Sequence, residues 1–119
     1  MKIKSYKDLD AYKKAYEVAK LIYNMTKSFP KEELYGISSQ LRRCAVSIPS
    51  NIAEGYMRGS KEYIQFLKIA LGSAAELETQ LSLSMDLGFL EDDAFHKIYD
   101  LNQEVIKLLT TYIKRLTNH

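Results

Sequence analysis

The sequence has 119 residues, of which 46% are hydrophobic and 27% are charged, a balance typical of one globular domain rather than a disordered tail. No apolar run approaches the ~18 residues that a membrane span requires, and the charged N-terminus lacks the apolar core of a signal peptide. The single cysteine excludes an internal disulfide framework and fits a reducing compartment. We therefore expect one cytoplasmic domain over residues 1–119, with no membrane partner.

The net charge of +2 is low for a dedicated nucleic-acid domain, but its distribution is uneven. Residues 1–30 carry seven lysines against three acids, whereas residues 61–90 carry two lysines against four acids. This asymmetry fits a basic face that binds phosphates. It also fits attraction between a basic helix and acidic helices, within one chain or between chains.

The first helix is predicted from about residue 9 to 28, with Asp8 as its N-cap and Pro30 as its stop. Two apolar stripes run side by side along it at helical spacing. Since a second stripe needs a second partner, the wide apolar face predicts an oligomer. The stripes are Leu9, Tyr12, Tyr16, Ala19, Tyr23 and Thr26, and Ala11, Ala15, Val18, Ile22, Met25 and Phe29.

Three more helices follow. The second is predicted from about 36 to 57 and contains Pro49, which removes a backbone hydrogen bond. Because Ile48 would be a poor cap for a helix restarting at Pro49, we expect a kinked continuous helix rather than a break. Ser60 is the predicted cap of the third helix, and Gly88 is placed to terminate it. The fold class predicted is all-α, an antiparallel up-down four-helix bundle with a Pro-kinked second helix.

The sequence offers no catalytic or metal-binding constellation. Its two histidines are His96, near the predicted start of the fourth helix, and the C-terminal His119, too few for a di-iron bundle. Cys44 lies on the apolar stripe of the second helix, which favours a buried structural role over a nucleophile. We expect no cofactor, no metal and no enzymatic activity.

The residues that could bind nucleic-acid phosphates are Arg42, Arg43, Arg58, Lys61 and Lys68, with Lys13, Lys14 and Lys20 on the outer face of the first helix. The alternative is that the arginines pair with glutamates such as Glu54, Glu76 and Glu78, between helices or between subunits. The nine tyrosines invite a base-stacking interpretation, but several fall on the core-facing stripes, which favours packing at a bundle rim or a subunit interface.

Seven segments carry a family resemblance. They are residues 6–9, 29–33, 35–37, 40–55, 62–67, 70–73 and 75–81, of which the segment from Arg42 to Gly55, RRCAVSIPSNIAEG, is the most specific. Together they resemble the 23S rRNA intervening-sequence protein family over nearly the whole chain. Cys44 stands where that family usually has alanine, a change between small residues.

The resemblance implies a bacterial four-helix bundle that assembles as a ring-like homopentamer and is often encoded within insertions in 23S rRNA genes. It also implies a fold similar to the accessory variability protein of diversity-generating retroelements, a basic pentamer that binds nucleic acid and a reverse transcriptase. We therefore expect a homo-oligomer that binds RNA or another nucleic acid through phosphates. The alternative is a scaffold that organises a partner protein, such as a reverse transcriptase, without touching nucleic acid.

Overall fold

The computed structural model describes residues 2–118, which form four long helices and no strand. The helices are α1 (Asp10–Thr26), α2 (Ile37–Arg58), α3 (Ser60–Asp86) and α4 (Asp92–Thr117). Short 3₁₀ turns precede α1 at Tyr6–Asp8 and precede α2 at Lys31–Glu33. The described chain is elongated, with principal extents of 46 × 24 × 22 Å. This confirms the predicted all-α class and its four helices.

The start of α1 differs from the prediction. Leu9 is the N-cap residue and makes no side-chain capping bond. Asp8 instead closes a capping box one element earlier, where its carboxylate accepts from the backbone N–H of Ser5 while the Ser5 hydroxyl accepts from Lys7. The Asp8 side chain is therefore committed to the 3₁₀ turn, and the prediction that it caps α1 was wrong.

Pro49 lies inside α2, and the helix continues through it to Arg58, as predicted. A single residue, Gly59, then separates α2 from α3. Its φ of +105° is a conformation that side-chain-bearing residues rarely adopt, so a glycine is required for this one-residue turn. Gly59, rather than the predicted Ser60, is the N-cap of α3, and Ser60 is the first helical residue.

The end of α3 is a Schellman motif centred on Gly88, whose φ is +79°. The N–H of Phe89 bonds the carbonyl of Ser84, and the N–H of Gly88 bonds the carbonyl of Met85. This confirms the predicted glycine stop. Acidic residues then occupy the first turn of α4, where the helix dipole favours negative charge.

The core is formed by the inner faces of all four helices. One apolar stripe, which begins at Ala11 on α1 and ends at Phe29 just after the helix, is buried along its length. Asn102 is a fully buried polar residue of α4, and its amide donates to the carbonyl of Ala74 on α3 at 2.9 Å. No helix in the described part of the chain is long and apolar enough to cross a membrane.

Candidate nucleic-acid interface

One end of the bundle gathers segments that are far apart in the sequence. The rings of Tyr6 and Tyr56 are 6.4 Å apart, which joins the start of the chain to the end of α2. Tyr112 of α4 lies beside Asp10 at the start of α1. The chain segments 2–10, 54–62 and 110–118 therefore meet at this end. At the opposite end, Phe29 and Phe89 have ring centroids 5.6 Å apart, joining the end of α1 to the α3–α4 loop.

The two ends have opposite charge. The three segments of the first end carry seven cations and four acids, and we call this the basic end; the cations are Lys2, Lys4, Lys7, Arg58, Lys61, Lys114 and Arg115. The segments 24–40 and 84–97 at the other end carry three cations and six acids. Formal charge therefore changes from +3 to −3 along the long axis of the molecule, a polarity that can orient a polyanion.

Arg58 and Lys61 lie at the basic end, on either side of the Gly59 turn, and both are exposed. The Nε and Nη2 groups of Arg58 donate to one carboxylate oxygen of Glu54, at 3.1 and 2.8 Å. The same guanidinium lies over the Phe66 ring, 5.0 Å from its centroid. Since a guanidinium has five N–H donors, Arg58 is positioned by these contacts and keeps donors for a phosphate.

The other predicted lysines follow the sides of the bundle. Lys68 is exposed on α3, two turns beyond Lys61. On α1, Lys13 is exposed, Lys14 pairs with Glu104 of α4 at 3.2 Å, and Lys20 pairs with Glu17 at 3.5 Å. These side chains can add to an electrostatic field but do not cluster with Arg58.

Arg42 and Arg43 lie near the start of α2, away from the basic end. Arg42 is half-buried, its Nε donates to the Thr26 hydroxyl at 2.8 Å, and its guanidinium lies 5.1 Å from the centroid of the Tyr23 ring. Arg43 is exposed and donates to Gln40.

Within residues 2–118, neither Arg42 nor Arg43 has a carboxylate within 4 Å. The arginine–glutamate network considered from the sequence is therefore not formed by these two residues inside the chain, and Glu54 pairs with Arg58 instead. Glu78 accepts a hydrogen bond from Gln103 of α4. Glu76 and Arg43 line a shared cavity of about 120 Å³ without an ion pair.

Cys44 has the environment of a structural thiol. It is buried, and its Sγ donates to the carbonyl of Ser73 at 3.0 Å. Burial, and to a lesser extent the nearby Glu76, raise the pKa of the thiol to about 12 against the opposing effect of Arg43. A thiol with this pKa has almost no nucleophilic thiolate at neutral pH.

The histidines contribute no cluster in the described residues. His96 is exposed near the start of α4, and the prediction for His119 falls outside residues 2–118. Within that range, no group of three or more His, Cys, Asp or Glu side chains is arranged to hold a metal.

A groove between α1 and α2 has a volume of about 650 Å³. We call it the tyrosine groove; its aromatic and aliphatic lining includes Tyr12, Tyr16, Tyr23, Val46, Pro49 and Ala53. The apolar stripe of α1 that contains Tyr12, Tyr16 and Tyr23 supplies its tyrosines, and Tyr16 remains 53% exposed and Tyr23 45% exposed. The double stripe was visible in the sequence, but the groove itself depends on how α2 packs beside α1.

Comparison with known proteins identifies a family and solved structures of similar fold. The family model described as "23S rRNA-intervening sequence protein" matches residues 7–111. A crystal structure of a protein of unknown function from the S23 ribosomal protein family of Bacteroides thetaiotaomicron is 31% identical, with a TM-score of 0.82. The match covers 91% of this chain and 98% of that one. No curated protein matches the chain.

Proposed function

The chain belongs to the 23S rRNA-intervening sequence protein family, and from this we propose that it is a non-enzymatic homo-oligomer that binds RNA or another nucleic acid through its phosphates. The observation that carries the proposal is the basic end, whose three segments carry seven cations and four acids. Phosphate contacts from lysine and arginine supply affinity without reading sequence. The proposed ligand is therefore a nucleic acid bound with little base specificity.

Arg58 and Lys61 are the proposed centre of this interface. Arg58 is held by Glu54 and Phe66, so little side-chain freedom is lost when its remaining donors meet a phosphate. Lys61 is exposed one short turn away and adds a second charge. Lys68 extends the basic path along α3. Arg43 lies near the start of α2, away from the basic end, so it contributes only to the binding of a ligand long enough to reach that part of the bundle. The side chain of Arg42 already bonds Thr26 and packs on Tyr23.

The proposed assembly is a homopentamer in the cytoplasm. The exposed rings of Tyr16 and Tyr23 on α1 support association because the bundle leaves this aromatic surface uncovered; the number five comes from the resemblance. We also propose that the helices alternate up and down, with a kink at Pro49. The Tyr6–Tyr56 and Phe29–Phe89 contacts at opposite ends support the alternation.

The test compares two double variants with the same loss of charge. Arg58→Gln/Lys61→Gln removes two cations from the basic end, and Lys31→Gln/Lys97→Gln removes two from the acidic end. Binding of labelled single-stranded RNA to RNA-free protein is followed by fluorescence anisotropy at several salt concentrations. We expect the first variant to bind more weakly and to lose roughly two units of salt slope, about one per phosphate contact. Equal affinities for the two variants would reject this site.

The scaffold remains the second candidate because two observations favour it. The tyrosine groove is a large aromatic surface suited to a protein partner, and the contacts of Arg42 lie within the chain. In this function the oligomer organises a partner enzyme such as a reverse transcriptase. A well-formed oligomer that binds neither RNA nor duplex DNA at low salt would favour it.

A further inference from the structure

The outer side of α3 carries a continuous stripe that the bundle does not cover. Its exposed residues recur every three or four positions, which places them on one face of the helix. We call this the α3 outer face, formed by Ile69, Gly72, Glu76, Thr79 and Leu83. Ile69 is 42% exposed and Leu83 is 48% exposed, so two large aliphatic side chains flank the small centre. The face therefore presents exposed aliphatic surface on both sides of its central glycine.

Packing within the chain does not explain why residue 72, at the centre of this face, is a glycine. A glycine inside a helix is less favourable than alanine, and a Cβ added at Gly72 would meet no atom within 4 Å. Gly55 on α2 provides the contrast, because an added Cβ there would lie 2.6 Å from the Cβ of Phe66. Gly55 is therefore needed for packing inside the bundle, whereas Gly72 leaves bare backbone open to a neighbour from outside.

The tyrosine groove and the α3 outer face have complementary charge. The groove is lined by Lys20 and Lys27, and no carboxylate of the described residues lines it. Residues 11–27, which include most of α1, carry four lysines and one acid. From Ile69 to Leu90 the chain carries three acids and no lysine or arginine. Glu76 is exposed on the face, and Arg43 of α2 shares a small cavity with it without forming an ion pair. Opposite charges of this kind select a partner and its orientation.

We propose that the α3 outer face of one copy docks into the tyrosine groove of a second copy. The aliphatic side chains and bare backbone of α3 would pack against the exposed rings of Tyr16 and Tyr23, and the groove lysines would surround Glu76. This inference rests on the proposed homo-oligomer and specifies which two surfaces form its contact.

The two surfaces lie on different sides of one subunit. The residues of α2 that line the groove are Val46, Pro49, Ser50 and Ala53. The side of α2 that meets α3 is marked instead by Cys44 and Ser47, which bond Ser73. One subunit can therefore use both surfaces at once, which is the heterologous type of contact from which cyclic rings are built.

The test uses two variants, each of which blocks one of the two surfaces. Tyr16→Glu/Val46→Glu places acids in the groove opposite the acidic face, and we call it the groove variant. Gly72→Lys/Leu83→Lys places lysines on the face opposite the basic groove, and we call it the face variant. The control Thr110→Lys/Thr111→Lys adds two lysines to exposed positions of α4 outside both surfaces. Circular dichroism verifies that each variant is folded, and light scattering with sedimentation velocity gives its mass.

We expect wild type and control to have the same oligomeric mass, and each blocking variant alone to have the monomer mass of 13.7 kDa. An equimolar mixture of the two blocking variants retains one intact groove and one intact face. It should therefore give a species of about twice the monomer mass. A groove-to-groove contact cannot give this result together with a monomeric face variant, because that variant keeps its groove and would pair with itself.

Three results would overturn the inference: an oligomeric mass for either blocking variant alone, a monomeric mixture, or a control that also dissociates. A wild-type protein that is itself monomeric would remove the proposed assembly. An oligomeric wild type whose mass neither blocking variant changes would remove only the assignment of these two surfaces.

Discussion

Gly55→Ala tests the closest approach between two helices of the bundle. The added Cβ would lie 2.6 Å from the Cβ of Phe66 and 3.3 Å from a ring carbon of Tyr63. Ordinary contacts of this kind begin near 3.4 Å, so α2 and α3 would have to separate locally by most of an ångström. No change of rotamer can remove the contact, because the Cβ of Phe66 is fixed to the backbone of α3.

The net effect is the difference between two opposing terms. Overpacking a well-packed site costs about 1–3 kcal/mol, and two tight neighbours put Gly55 in the upper part of that range. Replacing glycine by alanine in a helix recovers about 1 kcal/mol. We therefore expect the free energy of unfolding to fall by about 1–2 kcal/mol. With an unfolding entropy of about 2.1 cal/mol/K per residue, this lowers the Tm of a 119-residue chain by about 4–8 °C.

The assay is urea unfolding followed by circular dichroism. Both glycine variants are made in the groove variant, so that association with a second copy does not contribute. Gly72→Ala is the matched control, since its Cβ meets no atom within 4 Å, and it should raise stability by about 0.5–1 kcal/mol. A Gly55→Ala variant as stable as its parent would refute the packing described between α2 and α3.

Two further predictions concern stability. Arg42→Ala removes the hydrogen bond to Thr26 and a cation–π contact, so it should lower the free energy of unfolding by about 1–2 kcal/mol. Arg43 is exposed, and Arg43→Ala should change the free energy of unfolding by less than about 0.5 kcal/mol. Equal effects of the two variants in urea titrations would contradict this prediction. Burial raises the pKa of both Cys44 and Tyr63 to about 12, from ordinary values of 9.0 and 10.0. The unfolded chain loses these protons first, so stability is fully present below about pH 9 and falls as the pH rises towards 12. Tyr63→Phe should reduce this fall between pH 10 and 12, and an unchanged pH dependence of urea unfolding would count against it.

The helices could be predicted because apolar spacing is local information. The spacing of the buried apolar residues, the glycine at residue 88 and the acids in the first turn of α4 all act within a few residues of the feature they determine. The error at Asp8 was also local. Ser5 and Asp8 have the spacing of a capping box, a signal in the sequence that places Asp8 in the preceding turn.

The candidate site could be predicted only in part, because it depends on which segments meet. Arg58 and Lys61 were identifiable as adjacent exposed cations, but their grouping with Lys4 and Lys114 requires the packing of three distant segments. Charge sums over consecutive residues therefore miss the reversal of charge between the two ends. The engagement of Arg42 with Thr26 likewise depends on the register of α2 against α1, which residue types alone do not determine.

The most direct test of the central claim, nucleic-acid binding through phosphates, is an anisotropy titration of the wild-type protein. The protein is treated with nuclease, freed of RNA and sized by light scattering, and labelled RNA and duplex DNA are then titrated at two salt concentrations. We expect binding at micromolar protein or tighter that weakens steeply with salt and differs little between sequences. A well-formed oligomer that binds neither ligand at low salt would contradict the claim.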